Sequence, residues 1–161
     1  MLPDHEPLRT GRARQRQAHA VLRELDLARA LAGFGPVLAG TLPLPIHTDA
    51  SDLDVLCEVY DPAAFLRAAT AAYGDRPDFA CEQCDVRGVA STLVRFRAGD
   101  FDVELFGQPL PVTRQHGWRH LQVEARLLAL GGESAVAAIR ELRRAGLKTE
   151  PAFARWLGLA G

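Results

Sequence analysis

With 161 residues, 48% of them hydrophobic, the chain is long enough to bury one core. Lys and Arg total 19 against 20 Asp and Glu, and the net charge of -1 excludes the global basic field of a general nucleic-acid binder. No apolar run reaches the roughly 18 residues that span a bilayer, and three cysteines are too few and too odd a set for a disulfide framework, so a cytoplasmic protein without a membrane partner is expected.

Residues 1–12 read as an aperiodic lead-in to a single domain over 1–161. From Arg14 to Ala32, Val21, Leu22, Leu25, Ala28 and Ala32 recur at helical spacing, and Gly33 with Gly35-Pro36 ends that helix. Val37 to Thr41 reads as a buried strand running into a Gly40 turn, followed by a loop over 42–51 and a strand over 52–59. Asp61 suits an N-cap and Pro62 a first turn, predicting a helix to about Tyr73. Strand-like runs follow at about 78–85, 89–97 and 101–106, separated by turns at Arg87-Gly88 and Ala98-Gly99-Asp100. Helices at about 112–130, 133–145 and from Glu150 complete the chain. Runs of strands beside runs of helices argue an α+β fold: a sheet with helices on one face and a helical C-terminal third.

The chemistry concentrates on acids. Side chains alternate along a strand, so Asp52 and Asp54 share one face while Leu53, Val55 and Cys57 take the other. Two such carboxylates on one strand suit a divalent cation held through oxygen. In Phe101 to Phe106 the same alternation puts Asp102 and Glu104 together, away from Phe101, Val103 and Leu105. If that strand lies near Asp52 and Asp54, three or four carboxylates converge. The plain alternative is the wet side of a half-buried strand.

The order Gly40-Thr41, ten residues, Asp52-Leu53-Asp54, then an acid on a later strand resembles the polymerase-beta-type nucleotidyltransferase superfamily, and the Gly40-to-Asp54 spacing matches its minimal members. A resemblance covering nearly the whole chain is to domain-of-unknown-function family 4269, an uncharacterised bacterial group. Gly11 to Gln15, Gly40 to Leu44, Ser51 to Asp54, Glu104 to Gln108, Arg119-His120 with Glu124, and Lys148 to Ala154 carry it. Members usually continue further, so Gly161 is expected to be a shortened end.

This resemblance implies a nucleotidyltransferase-like mixed sheet and Mg²⁺ or Mn²⁺ held by Asp52, Asp54 and Glu104, with Asp102 the less favoured third acid. It implies close phosphate approach at Gly40, and Thr41 offering hydroxyl and amide, with Ser51, His120, Glu124 and Lys148 on the substrate side. The activity implied is transfer of an NMP from an NTP to an unidentified acceptor. The alternative is a non-catalytic binding or antitoxin-like module with a protein partner. The loop Leu42 to Ala50 departs from the family pattern. It is apolar and proline-stiffened, with no basic residue except His47 and with Asp49 added, so cations for a triphosphate would come from Arg14, Arg119, Lys148 or a partner.

Other motifs read more plainly. His116, His120 and Glu124 align on one helix face, where they could bind zinc but better suit a polar face or cleft lining. Cys81 and Cys84 fall on opposite faces of a strand and read as ordinary cysteines. Lys148, the only lysine, precedes a helix start, an anion seat or simply a solvated position. Trp118, Phe153 and Trp156 read as packing anchors, and the pairs Arg12-Arg14 and Arg143-Arg144 as solvated faces.

Overall fold

The computed structural model describes residues 6–159. Five strands form one mixed sheet in the order β1-β2-β5-β4-β3: β1 (Val37–Ala39), β2 (Leu53–Glu58), β3 (Ala80–Val86), β4 (Val89–Ala98) and β5 (Phe101–Gln108). β2 and β5 run parallel, and every other neighbouring pair is antiparallel. Local chemistry sets the tight connections. Arg87 and Gly88 both take positive φ, 54° and 79°, the backbone a two-residue hairpin requires, and the Asp85 carboxylate accepts from the Gly88 N–H at 2.7 Å.

The helices are α1 (Glu6–Arg9), α2 (Ala13–Leu25), α3 (Leu27–Ala30), α4 (Pro62–Tyr73), α5 (His116–Arg144) and α6 (Thr149–Trp156). Asp61 caps α4 by accepting from the Ala64 N–H at 3.0 Å, with Pro62 in the first turn. The 1–12 lead-in is only partly in view. Residues 1–5 lie outside the described residues, as does Gly161, while Glu6–Arg9 forms a helical turn with Leu8 buried. The helix expected over 14–32 is interrupted: Asp26 takes φ 47° and separates α2 from α3. The physical reason is in the packing, because the Tyr73 hydroxyl donates to the Leu25 carbonyl at 2.8 Å and occupies the acceptor at the end of α2.

Both sheet faces carry a core. On one, Leu53, Val55 and Cys57 of β2 join Val94, Phe96, Val103 and Leu105 under α2, α3 and α4. On the other, Ala39 and Leu56 pack with the helical C-terminal third, where Leu121, Leu128, Ile139 and Phe153 are buried. The start of α5 is pinned to the sheet by Gln115, whose buried amide donates to the Cys57 carbonyl at 2.8 Å and the Leu110 carbonyl at 3.3 Å. The C-terminal helices therefore stand over the β1–β2 end of the sheet and leave a cleft beside it.

Candidate active site

The cleft has a volume of about 680 Å³. Its sheet side is acidic. Asp54 pairs in register with Glu104 across the parallel β2–β5 ladder, so their side chains share a face, and Asp52 precedes β2 on the same side. All three acids line the cleft; Asp102 does not. Asp54 is largely buried, and burial, then Glu104 and Asp52, push its carboxyl up to about 6. Asp52 is raised too, by burial and then Asp102, with Arg14 opposing. Neither aspartate carboxylate has an ion-pair or hydrogen-bond partner among the described residues.

Glu104 stands differently. Arg95, opposite it on β4, donates Nε to its carboxylate at 2.8 Å and also bonds Glu82 at 3.1 Å. Asp102 is likewise paired, to Arg97 at 3.0 Å. Among the described residues, no group of three His, Cys, Asp or Glu side chains stands where it could hold a metal ion. The donors are of the hard oxygen type that Mg²⁺ takes along with waters and phosphate oxygens, but of these three acids only Asp52 and Asp54 are unpaired among the described residues, since Arg95 holds Glu104.

Gly40 closes the corner above Asp54. Its φ is +70°, and a Cβ there would collide with the Asp54 carboxylate. The loop that follows is a packed structure. Leu42 joins the first core, while Leu44 and Ile46 join the second. His47 is buried with Nδ1 2.9 Å from the Leu44 carbonyl, and the Gln15 amide donates to the Leu42 carbonyl at 2.9 Å. The apolar composition of this segment thus serves the two cores. Thr41 Oγ1 and Ser51 Oγ lie 3.0 Å apart across its neck, and Ser51 Oγ accepts from the Thr48 N–H at 2.9 Å.

The helical side is where sequence reasoning fell short. Arg119, His120 and Glu124 line the cleft, and so do Arg87, Arg114 and Arg143. Lys148 does not; it is exposed at the N-cap of α6, and its neighbour Thr149 faces the cleft instead. Arg143, expected on a solvated face, is half-buried, donates to the Thr149 hydroxyl, and leaves Nε buried without a partner. Arg14 is also no solvated face. It donates to the Ser51 and Asp100 carbonyls, both at 3.1 Å, and lies 3.7 Å over the Phe101 ring.

Burial pushes the Glu124 carboxyl up to about 7, with Arg143 opposing and Glu150 adding to the rise. The His116 and His120 rings lie 4.1 Å apart, and His116 falls below the usual histidine range through burial and then the His120 charge. The helix-face spacing is real, but it builds a cleft wall. Cys81 and Cys84 are free thiols on the edge strand β3.

The chain belongs to the family described as a domain of unknown function, DUF4269, whose model matches residues 20–161. No curated protein matches the sequence. Among solved structures, it resembles a cytoplasmic RNA terminal U-transferase, at 14% identity and TM-score 0.53 over 78% of this chain and 36% of that one. It also resembles Cid1 poly(U) polymerase bound to MgATP, at 12% identity and TM-score 0.54 over 88% and 42%. The likeness is one of fold: this is the nucleotidyltransferase fold. The chain spans about two fifths of the length of these structures.

Proposed function

We propose that this DUF4269 protein is a Mg²⁺- or Mn²⁺-dependent nucleotidyltransferase that moves an NMP from an NTP to an unidentified acceptor, with pyrophosphate as the leaving group. The observation that carries the reading is the pair of unpartnered aspartates, Asp52 and Asp54, side by side with Glu104 on the sheet side of an arginine-lined cleft. The RNA terminal U-transferase and the poly(U) polymerase share the fold and make an RNA end one acceptor to test.

Asp52 and Asp54 would hold the cation, with Glu104 as third ligand once it leaves Arg95. When bound, the cation supplies charge compensation for the transferring phosphoryl group. Gly40 keeps the space above Asp54 free of a side chain, so a phosphate can approach the backbone. Ser51 Oγ already accepts from Thr48, so it can give its own proton to Thr41 Oγ1. The Thr41 O–H is then free to donate to a phosphate oxygen. Arg114, Arg119 and Arg143 would supply the guanidinium donors that the apolar loop lacks, holding the polyphosphate in line for attack.

One observation favours a second reading. Arg95 occupies Glu104, as expected of a descendant that keeps the fold and binds without turnover, an antitoxin-like or other binding module. Two measurements separate these readings. Thermal stabilisation by each NTP with Mg²⁺ or Mn²⁺ should appear in the parent and vanish in Asp52→Ala plus Asp54→Ala. Transfer of labelled NMP to RNA, protein or small acceptors should follow the same pattern. Stabilisation without transfer selects the binding module, and the absence of any ligand effect in the parent overturns both.

A further inference from the structure

A second cavity of about 300 Å³ shares no lining residue with the cleft. Three segments meet there: the start of α2, the loop stretch Ile46 to Asp49, and the last turns of α5. Arg12 and Arg14 come from the first, Arg140 and Arg144 from the third, and among the described residues Asp49 is the only carboxylate in the lining. Elsewhere the arginines that meet acids are paired with them: Arg29 with Asp26, Arg76 with Glu24, Arg95 with Glu82 and Glu104, Arg97 with Asp102. None of the four at this cavity forms an ion pair among the described residues.

Their placement also runs against helix electrostatics. Cations at the end of α5 suit its negative pole, which accounts for Arg140 and Arg144. Arg12 and Arg14 instead stand at the positive pole of the 13-residue α2, whose first turn has no acid. Two of the four are already fixed in direction by backbone carbonyls. Arg140 donates to the Pro45 carbonyl at 2.9 Å, and Arg14 to those of Ser51 and Asp100. The Arg14 Nε is buried with no acceptor. The Arg12 N–H is capped by Gln15 Oε1 at 3.1 Å, so the feature left uncompensated is the convergence of four like charges, which one anion with several oxygens relieves.

We propose that this cavity is a phosphate-binding site, separate from the cleft and independent of divalent metal. Guanidinium forks match phosphate oxygens two at a time. The phosphate can belong to a small polyphosphate or to a nucleic-acid backbone. Arg14 links the cavity to the cleft, because the carbonyl it holds belongs to Ser51, the residue before Asp52.

The test uses the full chain in EDTA, which removes any cation-dependent binding at the cleft acids. Inorganic pyrophosphate and a single-stranded RNA oligonucleotide are titrated by calorimetry against the parent and against Arg12→Glu plus Arg144→Glu. Both of these side chains are exposed, so the double variant keeps the fold, which circular dichroism verifies. Arg67→Glu plus Arg126→Glu, at exposed positions outside the cavity lining, matches the change in net charge and serves as the control. Binding that weakens by about tenfold or more in the double variant, but by much less in the control, supports the site. Pyrophosphate as the tighter probe identifies a small ligand, and RNA as the tighter probe a backbone. Failure of the parent to bind either probe, or equal binding by the double variant, overturns it.

Discussion

Gly40 is constrained twice, by its backbone and by its neighbour. Its φ of +70° strains any L side chain, and a Cβ would meet the Asp54 carboxylate. Gly40→Ala should therefore cost about 1–3 kcal/mol of unfolding free energy, seen as a lower urea midpoint at unchanged slope. It should also abolish the cation-dependent stabilisation, since Asp54 must move. Gly33→Ala is the matched control: no atom lies within 4 Å of a Cβ there and its φ is not positive. Its unfolding free energy should stay within about 0.5 kcal/mol of the parent.

Glu124 gives the pH dependence. Its carboxyl rises from 4.5 to about 7, so the folded protein holds this proton more tightly than the unfolded chain does. The resulting stability is complete below the ordinary carboxyl range and is lost as pH rises through 7. Glu124→Gln should melt with the parent near about pH 4 and above it near about pH 8.5, in paired thermal scans. A variant that melts below the parent at the higher pH would show that the attraction to Arg143 outweighs burial.

At the level of elements, α5 is held in shape by one residue. Gly132 takes φ 62° and ψ -158°, a conformation only glycine adopts readily, and it bends the helix between the cleft wall and the turns that carry Ile139 and Arg143. Gly132→Ala meets no steric obstacle, so its cost is backbone strain alone, about 1–3 kcal/mol by denaturant titration. The bend falls at Gly131-Gly132, between the helices that the sequence predicts over 112–130 and 133–145. Asp61-Pro62 and Arg87-Gly88 were readable too, because a cap or a tight turn is decided by the residues within it.

What stayed hidden depends on distant chain. The break at Asp26 interrupts an apolar pattern that runs on at helical spacing, and its cause, Tyr73, lies 48 residues away. Arg14 reads like a surface arginine; its seat on Phe101 and the Asp100 carbonyl comes from chain 86 residues away. The acids were legible as a shared face, and the register pairing Asp54 with Glu104 shows them meeting. The capture of Glu104 by Arg95 had no local signal, since it arises from the β4–β5 register.

Across the whole molecule, the parallel neighbours β2 and β5 are separated in the chain by α4 and the β3–β4 hairpin. Bringing them together closes a loop of some fifty residues, and the entropy of that closure is spent before either strand gains a contact from the other. The acidic corner therefore rests on a long-range pairing, whereas β3–β4 and β4–β5 join chain neighbours. Until β2 and β5 meet, Asp54 and Glu104 do not stand side by side. A cation held there, as proposed, would bind only the finished sheet and act as a lock against its opening.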